Sequence, residues 1–282
     1  MNEINYDLTV IIPSIGDKKI FKLLEHLNKF KNKTFKIYLI IPSDIYLEIN
    51  NFKLDIKIIK SDKRGQVYQR FLGFSYSKSK FTMQLDDDCF IDENSFLNLY
   101  SHIIEKNNIC LGPVYYDVKT LLPIHKFNKS FIFLIKSLIV TLICSVPFGI
   151  KRMGKLSKIN TNYGVDPNYM KSDTLTVDWL PGGCILHKTE NLILENFFPY
   201  QGKAYCEDIM HSLLLKRKGI KLIAFKKSKC LTEFPIFPKS KVEIDKYFEA
   251  MKYCNVLSKN KSKIRFNVWI ILNYIRNIFI KL

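Results

Sequence analysis

Three groups of residues in this chain place reactive side chains at close spacing. The first is Asp86-Asp87-Asp88, directly after the β-rich run Phe81-Thr-Met-Gln-Leu85. Carboxylates at i and i+2 around a turn can converge on one hard cation. A Mg²⁺ or Mn²⁺ ion held by few carboxylates keeps positions open for phosphate oxygens, and such an ion neutralises a diphosphate leaving group. A calcium loop fits poorly, because Phe90 and Ile91 stand where that pattern needs Asp or Asn and then Gly. A solvated acidic turn would also account for the triplet. The second group is Pro181-Gly182-Gly183 ahead of Cys-Ile-Leu. Two glycines let the backbone approach a ligand closely, or they make an ordinary turn. The third is Glu207-Asp208, ahead of an amphipathic run with Ile209, Leu213 and Leu214. Acids there either complement a helix N-terminus or supply a carboxylate general base on a rigid support.

The elements that must position these groups follow from hydrophobic periodicity. Residues 7–13, 36–42, 55–60, 81–85, 109–115 and 219–225 read as short apolar strands. Helical patterns lie between them. One carries Ile20, Leu23, Leu24 and Leu27 on a single face; others run from Gly65 to about Ser79 and over 94–106, 189–197, 207–218 and 242–257. Residues 155–176 are polar and read as a long loop or short irregular elements. The alternation predicts an α/β fold with a mostly parallel, Rossmann-like sheet flanked by helices. Ligands sit at the carboxyl ends of strands in such sheets, which is where Asp86–Asp88 falls.

With 282 residues, 47% hydrophobic and 25% charged, disordered and low-complexity classes are excluded. The net charge of +18 favours anionic partners, whether nucleic acid, membrane headgroups or phosphorylated substrates. A Lys-, Ile- and Asn-rich genome would give the same balance. Seven scattered cysteines with no C-x-x-C pair suit a reducing compartment. No signal peptide is expected from the start of the sequence.

Two further segments bear on location. Residues 131–150 form an apolar stretch broken by Lys136 and closed by Pro147 and Gly149, long enough to span a bilayer. Lys126, Lys129, Lys151, Arg152 and Lys155 flank it on both sides. Residues 259–282 hold six basic and no acidic residues, and Ile264, Val268, Ile271, Ile275, Ile278 and Leu282 line one helix face. With Trp269 and Tyr274, this reads as a basic amphipathic interfacial helix, or as a helix packed on the domain or on a partner chain.

Placed together, the motifs resemble those of the family-2 glycosyltransferases with the GT-A nucleotide-sugar fold. The matching residues are Thr9-Val-Ile-Ile-Pro13-Ser14, Gly65 with Arg70, Asp86-Asp87-Asp88, Trp179-Leu-Pro-Gly-Gly and Tyr205-Cys-Glu207-Asp208 with Lys218-Gly219. They occur in the family's order over roughly residues 7–232. The resemblance implies a metal-dependent, inverting, hexosyltransferase-type enzyme. It would use a nucleoside-diphosphate-sugar, a UDP-sugar first, and a glycan or lipid-linked acceptor, in bacterial surface polysaccharide synthesis. Pro13, Ser14, Asp62, Gly65 and Arg70 would line the nucleotide pocket. Asp86 and Asp88 match the D-x-D that binds Mn²⁺ or Mg²⁺ and the diphosphate, with Asp87 between them. Gly182 and Gly183 would border the donor sugar and acceptor. Asp208 matches the base, with Glu207 beside it.

Two departures stand out. Ile41-Pro42-Ser43-Asp44 replaces an acidic Asp-Asp-Gly-Ser stretch, and Cys230-Leu-Thr-Glu233 lacks a common His, for which Glu233 or His211 could compensate. A single crossing by 131–150 would put Asp86 and Asp208 on opposite sides of a bilayer. The segment is therefore expected to be buried, to lie in the interface with Lys136 snorkelling, or to dip in and return. The expected division is a GT-A domain over 1–240, with an apolar insertion at about 128–152, and a helical membrane-interface appendage over 241–282. The expected place is the cytoplasmic face of the plasma membrane, with no nucleic-acid partner. The rivals are a sugar-phosphate nucleotidyltransferase, whose Gly-rich phosphate loop is missing from Pro13–Asp17, and a non-catalytic basic membrane-surface protein.

Overall fold

The first strand, Leu8–Pro13 (β1), is buried at every residue, as a central strand covered on both faces must be. A computed structural model of the chain describes residues 7–49, 51–128, 130–233, 238, 240–259 and 262–280. In it β1 is flanked by two parallel neighbours, Lys36–Pro42 (β2) and Phe81–Leu85 (β4), and Asp55–Ser61 (β3) extends the parallel set beyond β2. On the other side Cys184–Lys188 (β8) runs antiparallel to both β4 and Ile109–Asp117 (β6). Lys221–Thr232 (β9) returns parallel to β6, and it pairs antiparallel with both Phe90–Ile91 (β5) and Thr174–Val177 (β7). The sheet is therefore parallel in its β3-β2-β1-β4 half and mixed beyond it. Burial on both faces leaves β8 without an alternation of buried and exposed residues, and such a strand reads the same in either direction.

Alternate residues of β1 point to opposite faces. Leu8, Val10 and Ile12 pack with Ile20, Leu23, Leu24 and Leu27 of Lys18–Asn28 (α1) and with Phe96, Leu99 and Ile103 of Glu93–Ile104 (α3). Ile11 faces the other way, onto Phe74 of Gln66–Tyr76 (α2). Glu207–Arg217 (α5) contributes Leu215 to a third cluster with Ile185 and Leu222. The helix α2 sits unusually close to the sheet: a Cβ at Gly73 would collide with Ile11 Cγ2.

Two expectations give way. The helix-like run at 189–197 contains only a 3₁₀ turn, Thr189–Asn191. Leu192 packs with Ile11 and Ile40, while its neighbour Ile193 packs with Leu215. Adjacent side chains diverge this way in extended chain, not in a helix. The polar stretch 155–176 contains the start of β7.

The apolar stretch becomes a helix over Phe131–Cys144 (α4). None of the helices described is long and apolar enough to cross a membrane. Lys241–Leu257 (α6), opened by a capping box of Ser240 and Glu243, and Lys263–Ile280 (α7) follow. Cys144 of α4, Ile209 and Met210 of α5, Met251 and Cys254 of α6 and Phe266 of α7 share one buried cluster. The predicted face of α7 is turned outward: Ile264, Val268, Ile271 and Ile275 are exposed. Trp269 and Tyr274, expected at a membrane interface, face the domain. Trp269 stacks on Phe266 at 6.0 Å, and Tyr274 donates to Asp245. Lys129, Lys261, Lys281, Leu282 and the side chains of Arg276 and Ile278 lie outside the described residues. All seven cysteines are free, and six of them are buried.

The close approach at Gly73 gives a stability prediction. Gly73→Val forces two methyl groups against Ile11 and Ile40, and overpacking of this kind costs about 1–3 kcal/mol. The urea midpoint should fall with the slope of the transition unchanged; an unaltered midpoint would mean that the helix–sheet contact is looser than described.

Candidate active site

The pairing of Leu85 with Cys184 across β4 and β8 brings the acidic triplet beside the glycine pair. The Asp86 N–H donates to Gly183 O at 2.8 Å. A Cβ at Gly182 would collide with Glu207 Oε1, and one at Gly183 with Cys89 Sγ. The absence of a side chain at 182 admits the start of α5, and its absence at 183 admits Cys89 after the triplet. Gln84 holds this turn by donating to Gly182 O, and the Tyr115 hydroxyl donates to Pro181 O and Cys184 O at 3.3 Å.

At the centre is Arg70, whose side chain is 2% exposed. Its Nη2 donates to Asp86 Oδ1 at 2.9 Å and its Nη1 to Glu207 Oε2 at 2.8 Å. Gln66, one helical turn earlier on α2, donates to Asp86 Oδ2 at 2.7 Å. Arg70, expected to line the nucleotide pocket, is a buried tie between the strand-end acid and the helix-start acid. Burial pushes the carboxyls of Asp86 and Glu207 up, and the guanidinium opposes this in both. The same two carboxylates raise the Arg70 pKa against its own burial.

Asp208 stands next to Glu207, half-buried, and accepts the Ile209 N–H at 2.9 Å. Burial, with the neighbouring Glu207 charge, pushes its carboxyl up to about 7. Asp87 is pushed up to about 6, chiefly by burial, while the Ser14 hydroxyl donating to it at 2.6 Å pulls the other way. Asp88 is the most open of the triplet, with 37% of its side chain exposed and Lys19 Nζ 3.4 Å away. Among the described residues no group of three or more His, Cys, Asp or Glu side chains is arranged to hold a metal ion.

The other expected residues lie close by. Pro13 is buried at the end of β1, and the Ser14 N–H donates to Ile40 O at 3.0 Å. Gly65 opens α2 with φ +144°, and Asp62 is exposed, accepting from the Tyr68 hydroxyl at 2.7 Å. Lys63, Arg64, Gly65, Gln66 and Tyr68 form one wall of a cleft of about 660 Å³, and Tyr200 and Gln201 form the other. Asp44 pairs with Arg64 at 2.5 Å on the rim. Glu233 is exposed beyond β9. His211 is fully buried, stacked on Phe197 at 5.6 Å and 5.4 Å from the His187 ring. Burial and the nearby His187 and Arg70 keep it neutral.

Sequence reasoning missed Gln66, Gln69, Gln84, Lys19 and Tyr115. Two of these had a signal. Gln66, Gln69 and Arg70 fall at i, i+3 and i+4 on the face of α2 that packs on the sheet, and polar residues on a buried helix face need partners. Gln69 meets the requirement by donating to Ser14 O and Ile40 O, each at 2.8 Å.

The fold has counterparts among known proteins. Residues 42–157 match the family model described as Glycosyl transferase family 2. No curated protein matches the sequence. Among solved structures, GalNAc-T7 with UDP, GalNAc and Mn²⁺ superposes with a TM-score of 0.58 at 14% identity, over 87% of this chain and 47% of that one. S. aureus TarS 1-349 in complex with UDP-GlcNAc gives 0.55 at 14% identity, over 89% and 66%. The chain thus spans less than two thirds of the length of the structures it matches. Residues 42–157 are thus similar to glycosyltransferase family 2, and the chain has a mixed α/β, GT-A-like fold.

Two predictions follow from the buried charges. Arg70→Met leaves two buried carboxylates without their counter-charge and should cost about 3–5 kcal/mol in denaturant unfolding. Adding Glu207→Gln to that variant should restore part of the loss; no recovery would argue against a shared tie. The raised Asp208 carboxyl binds its proton more tightly folded than unfolded. Its contribution is therefore complete below the ordinary carboxylate range, near 4, and is lost as pH rises through about 7. Asp208→Asn should accordingly raise the melting temperature at pH 8 by roughly 2–4 °C, the effect of about 1 kcal/mol in a chain of this size, and should lose that advantage near pH 4.

Proposed function

We propose that the protein transfers a sugar from a nucleoside-diphosphate-sugar, a UDP-sugar first, to a hydroxyl of a glycan or lipid-linked acceptor. The observation that carries this reading is the tie by which Arg70 holds the strand-end acid Asp86 beside the helix-start acid Glu207. The three carboxyls of Asp86, Asp87 and Asp88 would repel a diphosphate unless a cation answers them, which is the part a divalent ion would play.

In this mechanism the acceptor oxygen attacks the anomeric carbon as the bond from that carbon to the diphosphate oxygen breaks. The hydroxyl proton passes to the Asp208 carboxylate, and the single displacement inverts the centre. A carboxyl raised to about 7 is a stronger base than an ordinary one and is half ionised near neutrality. Glu207 and Arg70 hold the start of α5 at a fixed distance from the triplet. Gly182 and Gly183 leave room for the sugar and acceptor beside them. Pro13, Ser14, Asp62, Gly65 and Asp87 border the nucleotide and diphosphate, with Lys63 and Arg64 facing the same cleft.

The donor set suits Mn²⁺ or Mg²⁺ rather than a closed metal cage. Asp88 offers an open hard-oxygen ligand, whereas Asp86 already serves Arg70 and Gln66. Such ions bind through one or two carboxylates together with substrate phosphates. When bound, the ion supplies charge neutralisation of the departing diphosphate. Residues 1–240 are the transferase unit in this reading, and 241–282 a helical appendage. The setting is bacterial surface-polysaccharide synthesis on the cytoplasmic side of the plasma membrane, and the free cysteines suit a reducing compartment there.

Calorimetry with UDP and Mn²⁺, followed by turnover of a UDP-sugar panel, tests the assignment. Asp88→Asn should lose metal-dependent nucleotide binding. Asp208→Asn should keep that binding and lose transfer by about 10²–10⁴-fold, the usual contribution of a general base. The wild-type rate should climb as pH rises through about 7. Unchanged UDP affinity in Asp88→Asn would overturn the metal role, and full transfer by Asp208→Asn would overturn the base.

A further inference from the structure

We propose that the outer faces of α4 and α7 form one docking surface for an anionic lipid leaflet, on which the protein lies without crossing. The first observation is geometric. The two helices pack against each other, and Arg265 of α7 donates to the carbonyls of Leu142 and Ile143 at the end of α4. Their inward sides are already used in the buried cluster of Cys144, Met251 and Phe266. Their outward sides are apolar as well. Leu138 and Leu142 on α4 and Ile264 and Ile271 on α7 are 51%, 65%, 81% and 57% exposed. A helix apolar on both sides is buried on both sides in its working state, and a patch of this extent on a soluble surface marks an interaction site.

The second observation is the charge around the patch. Between Asp117 and Asp166 the sequence has eight Lys and Arg residues and no acid; after Glu249 it has seven and no acid. Against a chain total of +18, nearly all the excess positive charge belongs to the two segments that carry these helices. Lys136 projects from the exposed side of α4, and Lys263 and Arg265 from the start of α7. Apolar side chains framed by basic ones match the acyl boundary and headgroups of an anionic leaflet. They do not match a second copy of this chain, which would set the same basic frame against itself. Neither helix can span a bilayer, so the contact is peripheral.

The docking stands apart from the glycosyl-transfer reading, and the experiment keeps the two separable. The full chain is sedimented with vesicles of phosphatidylcholine alone and of phosphatidylcholine mixed with phosphatidylglycerol, at low and high salt. Binding is expected to the mixed vesicles only, and to weaken with salt. The pair Lys136→Glu and Lys263→Glu should weaken it by at least about tenfold, since each basic residue near the surface is worth about 1 kcal/mol. The pair Leu138→Ser and Ile271→Ser, both at exposed positions, should abolish it while circular dichroism stays unchanged. Asp208→Asn should bind as the wild type does, whatever its activity. No binding of the wild type to anionic vesicles would overturn the proposal. So would equal binding to both vesicle types, or a dimer in solution that the Leu138/Ile271 pair dissolves.

Discussion

One buried guanidinium organises this molecule. Arg70 lies 16 residues before Asp86 and 137 before Glu207, yet it bonds both at under 3 Å with almost no exposure. Each partner comes from a different element: α2, the end of β4 and the start of α5. An ion pair of this kind is weak evidence for stability, because desolvation opposes the attraction. What it does is fix geometry. A charge left unpaired there is costly, so the three elements have one low-energy arrangement. The other features follow from that requirement. α2 must approach the sheet closely, which Gly73 permits. α5 must arrive against the β4–β8 turn, which Gly182 permits. Gln66 and Gln69 satisfy what the guanidinium does not reach.

The same arrangement divides the protein electrostatically. Five carboxyl groups, Asp86, Asp87, Asp88, Glu207 and Asp208, gather where, among the described residues, Arg70 and Lys19 are the cations bonded to them. The remainder of the chain is strongly basic. The negative site is thus a local feature maintained by burial and paired hydrogen bonds. The carboxyls of Asp87 and Asp208 are raised first by burial and then by the neighbouring acids. They differ in their neighbours. Asp87 is tied to the Ser14 side chain, whereas Asp208 accepts from its own helix backbone.

Much of this was legible beforehand. The strands β1 to β4 announced themselves as apolar runs ended by Pro or Asp, and Ile20, Leu23, Leu24 and Leu27 fell on the buried side of α1 as their spacing required. The triplet, the glycine pair and the helix-start acids were each ambiguous, because a solvated turn or a cap uses the same residue types. Their convergence depends on long-range pairing that no local window contains. The tie made by Arg70 was hidden for that reason: its two partners lie 16 and 137 positions away in the sequence. The direction of β8 was invisible because a strand buried on both faces has no sidedness. The α7 stripe showed a face but not its orientation. Phe266, Trp269 and Ile270 form a second apolar face, and the aromatic contacts with Tyr247 and Phe248 decide which one turns inward.

The two-faced character of α7 has a consequence for the protein in plain buffer. Copies in dilute salt are held apart by their mutual repulsion, which reaches about 10 Å at 0.1 M ions and about 3 Å at 1 M. Adding electrolyte removes that barrier while leaving the greasy helices uncovered. Concentrated stocks are therefore expected to cloud as salt is raised, the reverse of ordinary salting-in, and a mild detergent rather than a stronger buffer is the additive that should keep them clear.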